Sequence, residues 1–404
     1  MSIKTKLKEA VLIHVTGQDY PGILANILGQ LKESSVSLQD IQQTTSLGQL
    51  SLSLLIHVPI EKGLNVIKDL SYLARAHHLN VDFFVLNEEN AEGANTKKNY
   101  ALTLLAPEIR VEAFHALSQV IADNSINIER MTRLARGNLQ CLELILGIPQ
   151  GNLAEFPKLK KNLFRVAFNH EFDLAIQPEN LYRRSKRLIV MDMDSTLIRQ
   201  EVIDEIADFA GVKQQVAAIT ERAMNGELDF QAALRERVAL LKGLSGSSLD
   251  QVIKRISLTP GVEELVFILK KLGFKIAVIS GGFSFFTEHF KKQLGLDYQF
   301  ANTLEIIDGK LTGNVKGQIV DKARKASILR ELAKENSIPL DQTVAVGDGA
   351  NDLDMLETAG LGIAFNAKPH VKDQAGAFIS QPGLDSVLYL LGVSQKEVND
   401  LKKE

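Results

Sequence analysis

The 404-residue chain is 45% hydrophobic and 24% charged, with a formal net charge of -3. It therefore suits a globular protein of roughly two to four domains and offers no global field for nucleic acid or an anionic membrane. Its single cysteine, Cys141, excludes an intrachain disulfide and suits a reducing, cytoplasmic compartment, while no apolar run reaches membrane length and AVLIHV near the start is too short for a signal-peptide core.

The first half repeats itself. Residues 25–59 match residues 115–149 without a gap, Pro59 falling on Pro149. Each copy opens with a short strand (VLIHV, YALTLL) and an amphipathic helix. Two strands follow around a turn at Gly48 or at Gly137-Asn138, then a second helix and a last strand (VDFFVL, FDLAI). That order, βαββαβ, predicts two small α+β domains of ferredoxin-like type, over 1–90 and 98–180, each an antiparallel sheet with helices on one face. The polar stretch NEENAEGANTKKN separates them.

From about residue 184 to the end, RLIVMD, KIAVIS, TVAVGD and GLGIAF alternate with helical segments. These read as buried parallel strands of a doubly wound α/β sheet. Three of the runs end in polar residues, Asp192, Ser280 and Asp348, and ligands of open α/β sheets bind beyond such strand ends. This part carries its own strands and loops, so catalytic residues and core should stay together in a piece beginning near residue 184. About seventy helical residues stand between the first two strands, and their middle, 199–262, is expected to form a helical cap over the crevice.

Asp192 and Asp194 lie two apart in an extended run, where side chains share a face. A cation offsets such crowding, and a hard ion such as Mg²⁺ takes carboxylates from Asp192 and Asp348. Asp192 is then a credible nucleophile toward phosphorus, and Asp194 an acid to the leaving oxygen and a base to water. Backbone amides at Gly281 and Gly282, with the Ser280 hydroxyl, would cradle phosphate oxygens. Lys325 opens the apolar face of the helix in DKARKASILRELAKE and is aimed inward, whereas Lys322 is the weaker candidate. No HExxH or Walker-type spacing occurs, so zinc and nucleotide chemistry find no support.

DMDST (192–196), SGG (280–282), Lys325 and GDGAND (347–352) resemble, in order, the four motifs of the haloacid dehalogenase-like phosphatases. The resemblance implies Asp192 as nucleophile and Asp194 as proton donor and acceptor. Mg²⁺ would be held by Asp192, the Asp194 carbonyl oxygen and Asp348, with Asp352 behind them. Ser280, Gly281, Lys325 and Asn351 would contact substrate. More narrowly, EVIDEIA, TERAM, GELDF and LRERV look like the cap of the phosphoserine phosphatase branch. That match assigns Glu201 to the ammonium and Arg237 to the carboxylate of O-phospho-L-serine, with Met224 and Phe230 closing the site. On periodicity alone Glu201 shares a solvated stripe with Glu205 and Asp208, while Arg237 stands on the apolar face of its helix, where an internal salt bridge is the alternative.

The repeats resemble ACT domains, which often bind amino acids. Copy one keeps the family's turn as GQDYPG, making Asp19 and Gly22 an effector loop with L-serine as the economical ligand; copy two has APEIRVE there, without the glycine. Together these resemblances imply a Mg²⁺-dependent phosphoserine phosphatase of serine synthesis, a homodimer with regulatory ACT-like domains. The rivals are a phosphatase or phosphotransferase acting on another small phosphomonoester and a non-catalytic amino-acid sensor.

Overall fold

Alternating burial of apolar side chains along two central strands builds the core of the first repeat. Its elements are β1 (Lys8–Gln18), α1 (Ile23–Lys32), β2 (Ser37–Ser46), β3 (Gln49–Pro59), α2 (Gly63–Ala76) and β4 (Asn80–Leu86), in sheet order β2-β3-β1-β4. Val11, Ile13 and Val15 of β1 and Leu52, Leu54 and Ile56 of β3 point inward against Ile23, Ile27 and Leu31 of α1 and Val66, Leu70 and Ala74 of α2. The β2–β3 turn places Leu47 and Gly48 at φ 50° and 77°, the left-handed pair that a two-residue hairpin requires. This computed structural model describes residues 8–32, 34–86 and 97–403, except the side chain of Met224. Most of the polar separator, 87–96, falls outside them.

The second repeat has the same order: β5 (Lys97–Ala106), α3 (Val111–Asp123), β6 (Asn127–Ala135), β7 (Gln140–Pro149), α4 (Phe156–Asn169) and β8 (Asp173–Pro178). Residues 1–96 and 97–404 form two compact units, so this repeat belongs with the C-terminal α/β sheet and not with the first repeat.

The second unit continues as β9 (Leu188–Met191), α5 (Val202–Phe209), α6 (Lys213–Met224), α7 (Phe230–Ala239), α8 (Ser248–Ile253), α9 (Val262–Lys271), β10 (Lys275–Phe283), α10 (Ser284–Leu294), β11 (Tyr298–Ile307) and β12 (Lys310–Lys316). It ends with α11 (Lys322–Glu335), β13 (Thr343–Gly347), α12 (Leu353–Thr358), β14 (Leu361–Phe365), α13 (Pro369–Gln374), β15 (Ala377–Ile379), α14 (Val387–Leu390) and α15 (Gln395–Leu401). Strands β11, β10, β9, β13, β14 and β15 lie side by side and parallel, and β9, β10, β13 and β14 are the four runs read from the sequence. Helices α5 to α8 form the expected insertion between β9 and β10. No helix among the described residues is long and apolar enough to cross a membrane.

The second repeat does not keep a sheet of its own. β15 pairs antiparallel with β8, Ala377 opposite Ala175 and Phe378 opposite Leu174, so that the two sheets become one of eleven strands. One face of β5, β7 and β8 packs on α3 and α4. The other carries Leu105, Cys141 and Ala175 into the same core as Tyr389, Leu391 and Val398 from the C-terminal helices. Polar groups on that covered face find partners across the seam: Gln177 Nε2 donates to the Leu390 carbonyl at 2.8 Å, the Gln381 amide donates to Asp173 Oδ2 at 3.2 Å, and Arg183 meets Glu143 at 2.6 Å. A piece beginning at residue 184 would therefore uncover the β15 edge and the apolar surface beside it.

Candidate active site

Three strand ends build the floor. β9 is buried throughout, and the chain leaves it at Asp192 through a tight turn in which Ser195 takes φ +55°. The turn returns Asp194 toward the cleft and delivers the Val202 amide, which opens α5, to Asp194 Oδ1 at 2.8 Å. From β10, the Ser280 hydroxyl donates to Asp194 Oδ2 at 3.1 Å and accepts the Gly282 amide at 2.8 Å. A Cβ on Gly282 would stand 2.7 Å from Asp194 Oδ2, and one on Gly281 would stand 3.0 Å from the Phe230 ring. Glycine at both positions is thus a requirement of close approach.

The cation comes from α11. Asp321 caps that helix by accepting the Arg324 amide at 2.9 Å, and one turn on Lys325 is wholly buried. Its Nζ lies 2.9 Å from Asp192 Oδ1 and 2.7 Å from Asp352 Oδ1. Lys322 instead pairs with Asp354 at the surface. Asp352 also accepts the Gly349 amide at 3.1 Å, fixing the loop after β13, and Asp348 Oδ1 receives the Thr196 hydroxyl at 3.4 Å.

The electrostatics arise from crowding in a dry floor. Burial, then Asp352, lifts Asp192 well above the ordinary carboxylate range, against the pull of Lys325. Burial and the Glu201 carboxylate push Asp194 up to about 7; burial, Asp352 and Glu201 do the same for Asp348. Burial opposes the charge on Lys325, but Asp192 and Asp352 outweigh it and hold the amine protonated. Asp192, Asp348 and Asp352 bring carboxylate oxygens within 4.8 Å of one another. Such an all-oxygen set fits a hard divalent cation; Lys325 bridges Asp192 and Asp352, and Asp348 is the member it does not pair with.

The insertion forms the roof. Asp229 caps α7 by accepting the Ala232 amide at 2.7 Å, which places Phe230 at the helix start and Arg237 two turns later. The cavity between, about 370 Å³, is lined by Asp192, Asp194, Gly281, Asp348 and Asn351 below and by Glu201, Phe230 and Arg237 above and beside them. Ser280 and Lys325 lie beneath its surface. Glu201 accepts the Ser195 hydroxyl at 2.8 Å. No salt bridge among the described residues engages Arg237, whose Nε donates only to the Ala233 carbonyl at 3.3 Å; its burial lowers its pKa, with Asp204 and Glu201 opposing. Met224 ends α6, and its side chain lies outside the described ones. Ile203, Thr220 and Leu228 also line the cavity, and nothing in sequence periodicity sets them apart.

Asn302 is a positioning residue that sequence reasoning missed. Buried on β11, it donates to the Gly281 carbonyl at 2.7 Å and accepts the Val320 amide at 2.8 Å, locking the glycine loop to the segment that starts α11. A lone asparagine in the otherwise strand-like run FANTLEII was the available signal. In the first unit, Asp19 accepts the Thr45 hydroxyl at 3.1 Å, Gly22 takes φ +101° before α1, and the Tyr20 hydroxyl between them is buried without a hydrogen-bond partner among the described residues.

Comparison with known proteins gives the family of each part of the chain. A haloacid dehalogenase-like hydrolase family model matches residues 189–357, and ACT domain models match 9–84 and 99–177. The phosphoserine phosphatase of Streptomyces coelicolor is 42% identical over 392 residues, covering 96% of this chain and 93% of that one. Phosphoserine phosphatase SerB2 of Mycobacterium tuberculosis is 40% identical over 391 residues, covering 97% and 95%. Among solved structures, a HAD family hydrolase from Salmonella enterica serovar Typhi superposes with a TM-score of 0.63 at 35% identity, covering 72% of this chain and 98% of that one.

Proposed function

This chain belongs to the phosphoserine phosphatase family within the haloacid dehalogenase-like hydrolases, and from that premise we propose that it hydrolyses O-phospho-L-serine to L-serine and phosphate through an aspartyl-phosphate on Asp192, completing serine synthesis. The observation that carries the reading is the pair of aspartates on the cavity floor facing Arg237 and Glu201 across about 370 Å³. A phosphate goes to the floor, an amino-acid carboxylate to the planar fork of Arg237, and the ammonium to Glu201.

Asp192 attacks phosphorus with Lys325 beside its carboxylate, and Asp194 gives its proton to the departing serine oxygen. With its pKa near 7, Asp194 carries that proton in a good fraction of molecules at neutral pH. The same group, once ionised, takes a proton from the water that cleaves the acyl phosphate. Ser280 holds Asp194 in place, and the Gly281 amide is the donor this reading gives to a phosphate oxygen, the Gly282 amide being taken by Ser280. Mg²⁺ is the metal of this reading; Asp192, the Asp194 carbonyl and Asp348 would hold it, and when bound it would neutralise the charge gathered on the phosphoryl group. Phe230, with Met224, closes the cap over the substrate. Asp352 keeps Lys325 oriented.

L-Serine is the effector we assign to the loop of Asp19 and Gly22, in a homodimeric, cytoplasmic enzyme. The test is kcat/KM across phosphoserine, phosphothreonine, phosphoglycolate and an aryl phosphate, before and after chelation by EDTA. Preference for phosphoserine, silenced by EDTA and restored by Mg²⁺, supports the reading; equal turnover of all four, or full activity after chelation, overturns it. Serine titration of the parent and Gly22→Val separates the effector loop from product inhibition at the cleft.

A further inference from the structure

A second cavity shares no lining residue with the catalytic cleft. It measures about 270 Å³ and sits between α4 of the second repeat and α13, lined by Lys161, Phe164, Arg165, Phe168, Lys372 and Phe378, with Asp373 as its one acid. Phe164 and Phe378 meet edge to face, ring centroids 5.2 Å apart, across the seam between the repeat and β15. Lys372 stands over the Phe378 ring at 5.3 Å and donates to Ser380. Among the described residues, no ion pair engages Lys161 or Arg165.

The two repeats supply an internal control. α2 and α4 are both fourteen residues long, and the core stripe Val66, Leu70 and Ala74 of one matches Leu159, Leu163 and Ala167 of the other. On that alignment Phe164 and Phe168 fall on Ser71 and Arg75. The repeat's own core thus needs neither aromatic. Phe164 is accounted for by Phe378 at the seam. Phe168 is not: its ring is 63% exposed at the cavity mouth, in the company of three cations.

We infer that this cavity is a binding site for a small aromatic carboxylate. Phe168 offers its exposed ring to a planar ring above the buried Phe164–Phe378 pair, and Arg165, Lys161 and Lys372 offer a carboxylate its counter-charges. The volume lies just under the roughly 300–1,000 Å³ that drug-sized ligands fill, which limits the occupant to one or two fused rings. The occupant would bridge α4 and α13, tying the second repeat to the strand layer that carries Asp348.

The probe is 2-naphthoate, monitored by fluorescence anisotropy on the full-length protein. The chain has no tryptophan, so the naphthalene signal is read without indole background. The expected result is one saturable site, weakened at least tenfold by Arg165→Glu, by Lys161→Glu and by Phe168→Ser, and unchanged in Arg237→Ala. Acetate should fail to displace the probe and 2-naphthylmethylammonium should not bind. These three lining residues are exposed, and unaltered thermal melting of the variants checks that they fold. Absence of saturable binding, equal affinity in all the lining variants, displacement by acetate, or loss of binding in Arg237→Ala would each overturn the assignment, the last by placing the probe in the catalytic cleft.

Discussion

Lys325 Nζ stands 2.9 Å from Asp192 Oδ1, the amine wholly buried and the carboxylate at the cavity floor. Removing the negative member should abolish chemistry while leaving the cation a partner in Asp352. Asp192→Asn is therefore expected to fold and melt close to the parent but to lose phosphatase turnover by at least about a thousandfold, since an amide is no nucleophile. Steady-state kinetics with circular dichroism on the same sample checks both halves, and substantial activity in the folded variant would remove Asp192 from that role.

Asp194→Asn tests the proton. An alkoxide leaving group needs protonation and an aryl oxide much less, so the variant should lose far more activity on phosphoserine than on an aryl phosphate. Equal losses on the two substrates would argue against Asp194 as the acid.

Arg237 has no carboxylate partner at hydrogen-bond distance among the described residues. Arg237→Ala should lower kcat/KM for phosphoserine by roughly 10- to 150-fold relative to an aryl phosphate, the equivalent of one charge-assisted hydrogen bond of about 1.5–3 kcal/mol. A parallel decline on both would indicate damage to the cap.

The seam can be tested through its buried ion pair. Arg183→Ala leaves Glu143 charged and enclosed, and should destabilise the protein by about 3–5 kcal/mol, read as a lower urea midpoint. Arg183 also pairs with Glu179, so replacing all three charges, as Arg183→Met with Glu143→Leu and Glu179→Gln, should recover most of that loss. If the single variant is neutral, the pair is not holding the seam.

Lys186 supplies a pH-dependent test. Burial and the neighbouring Arg183 charge lower its amine to about 8 from 10.5, against the pull of Asp341, and its Nζ donates to the Asp341 carbonyl at 2.5 Å. Because the folded pKa is depressed, folding carries a penalty below about 8 that fades as pH rises toward 10.5. The parent should therefore gain thermal stability between pH 8 and 10.5 relative to Lys186→Met. Parallel Tm curves across that interval would contradict the depressed pKa.

Much of this architecture was legible because it is local. Short runs such as VLIHV marked strands, the ungapped repeat marked two βαββαβ units, and apolar runs ending in Asp192, Ser280 and Asp348 pointed to a single crevice. Lys325 was readable from the face of α11 it shares with Ile328, Leu329 and Leu332. The hairpin of β11 and β12 was missed although Asp308-Gly309 between apolar runs announces a tight turn, with both residues at positive φ. The union of β8 with β15 was not legible at all. β15 has three residues, Ala377–Ile379, and its partner is β8, Asp173–Pro178, far back along the chain, so no window of sequence contains the information. Asn302 escaped for a similar reason, since its importance rests on two backbone groups that only the folded chain brings to it.

The order in which a ribosome delivers these strands gives the eleven-stranded sheet a temporal cost. β8 is complete at Pro178, yet the strand that covers its open side is not synthesised until Ile379, about 200 residues and, at roughly 5–20 residues per second, some 10–40 seconds later. Throughout that interval the nascent chain presents unpaired backbone groups of β8 and an uncovered apolar face bearing Leu105 and Cys141. Chaperone demand during synthesis should accordingly be concentrated on the second repeat and end when β15 clears the exit tunnel.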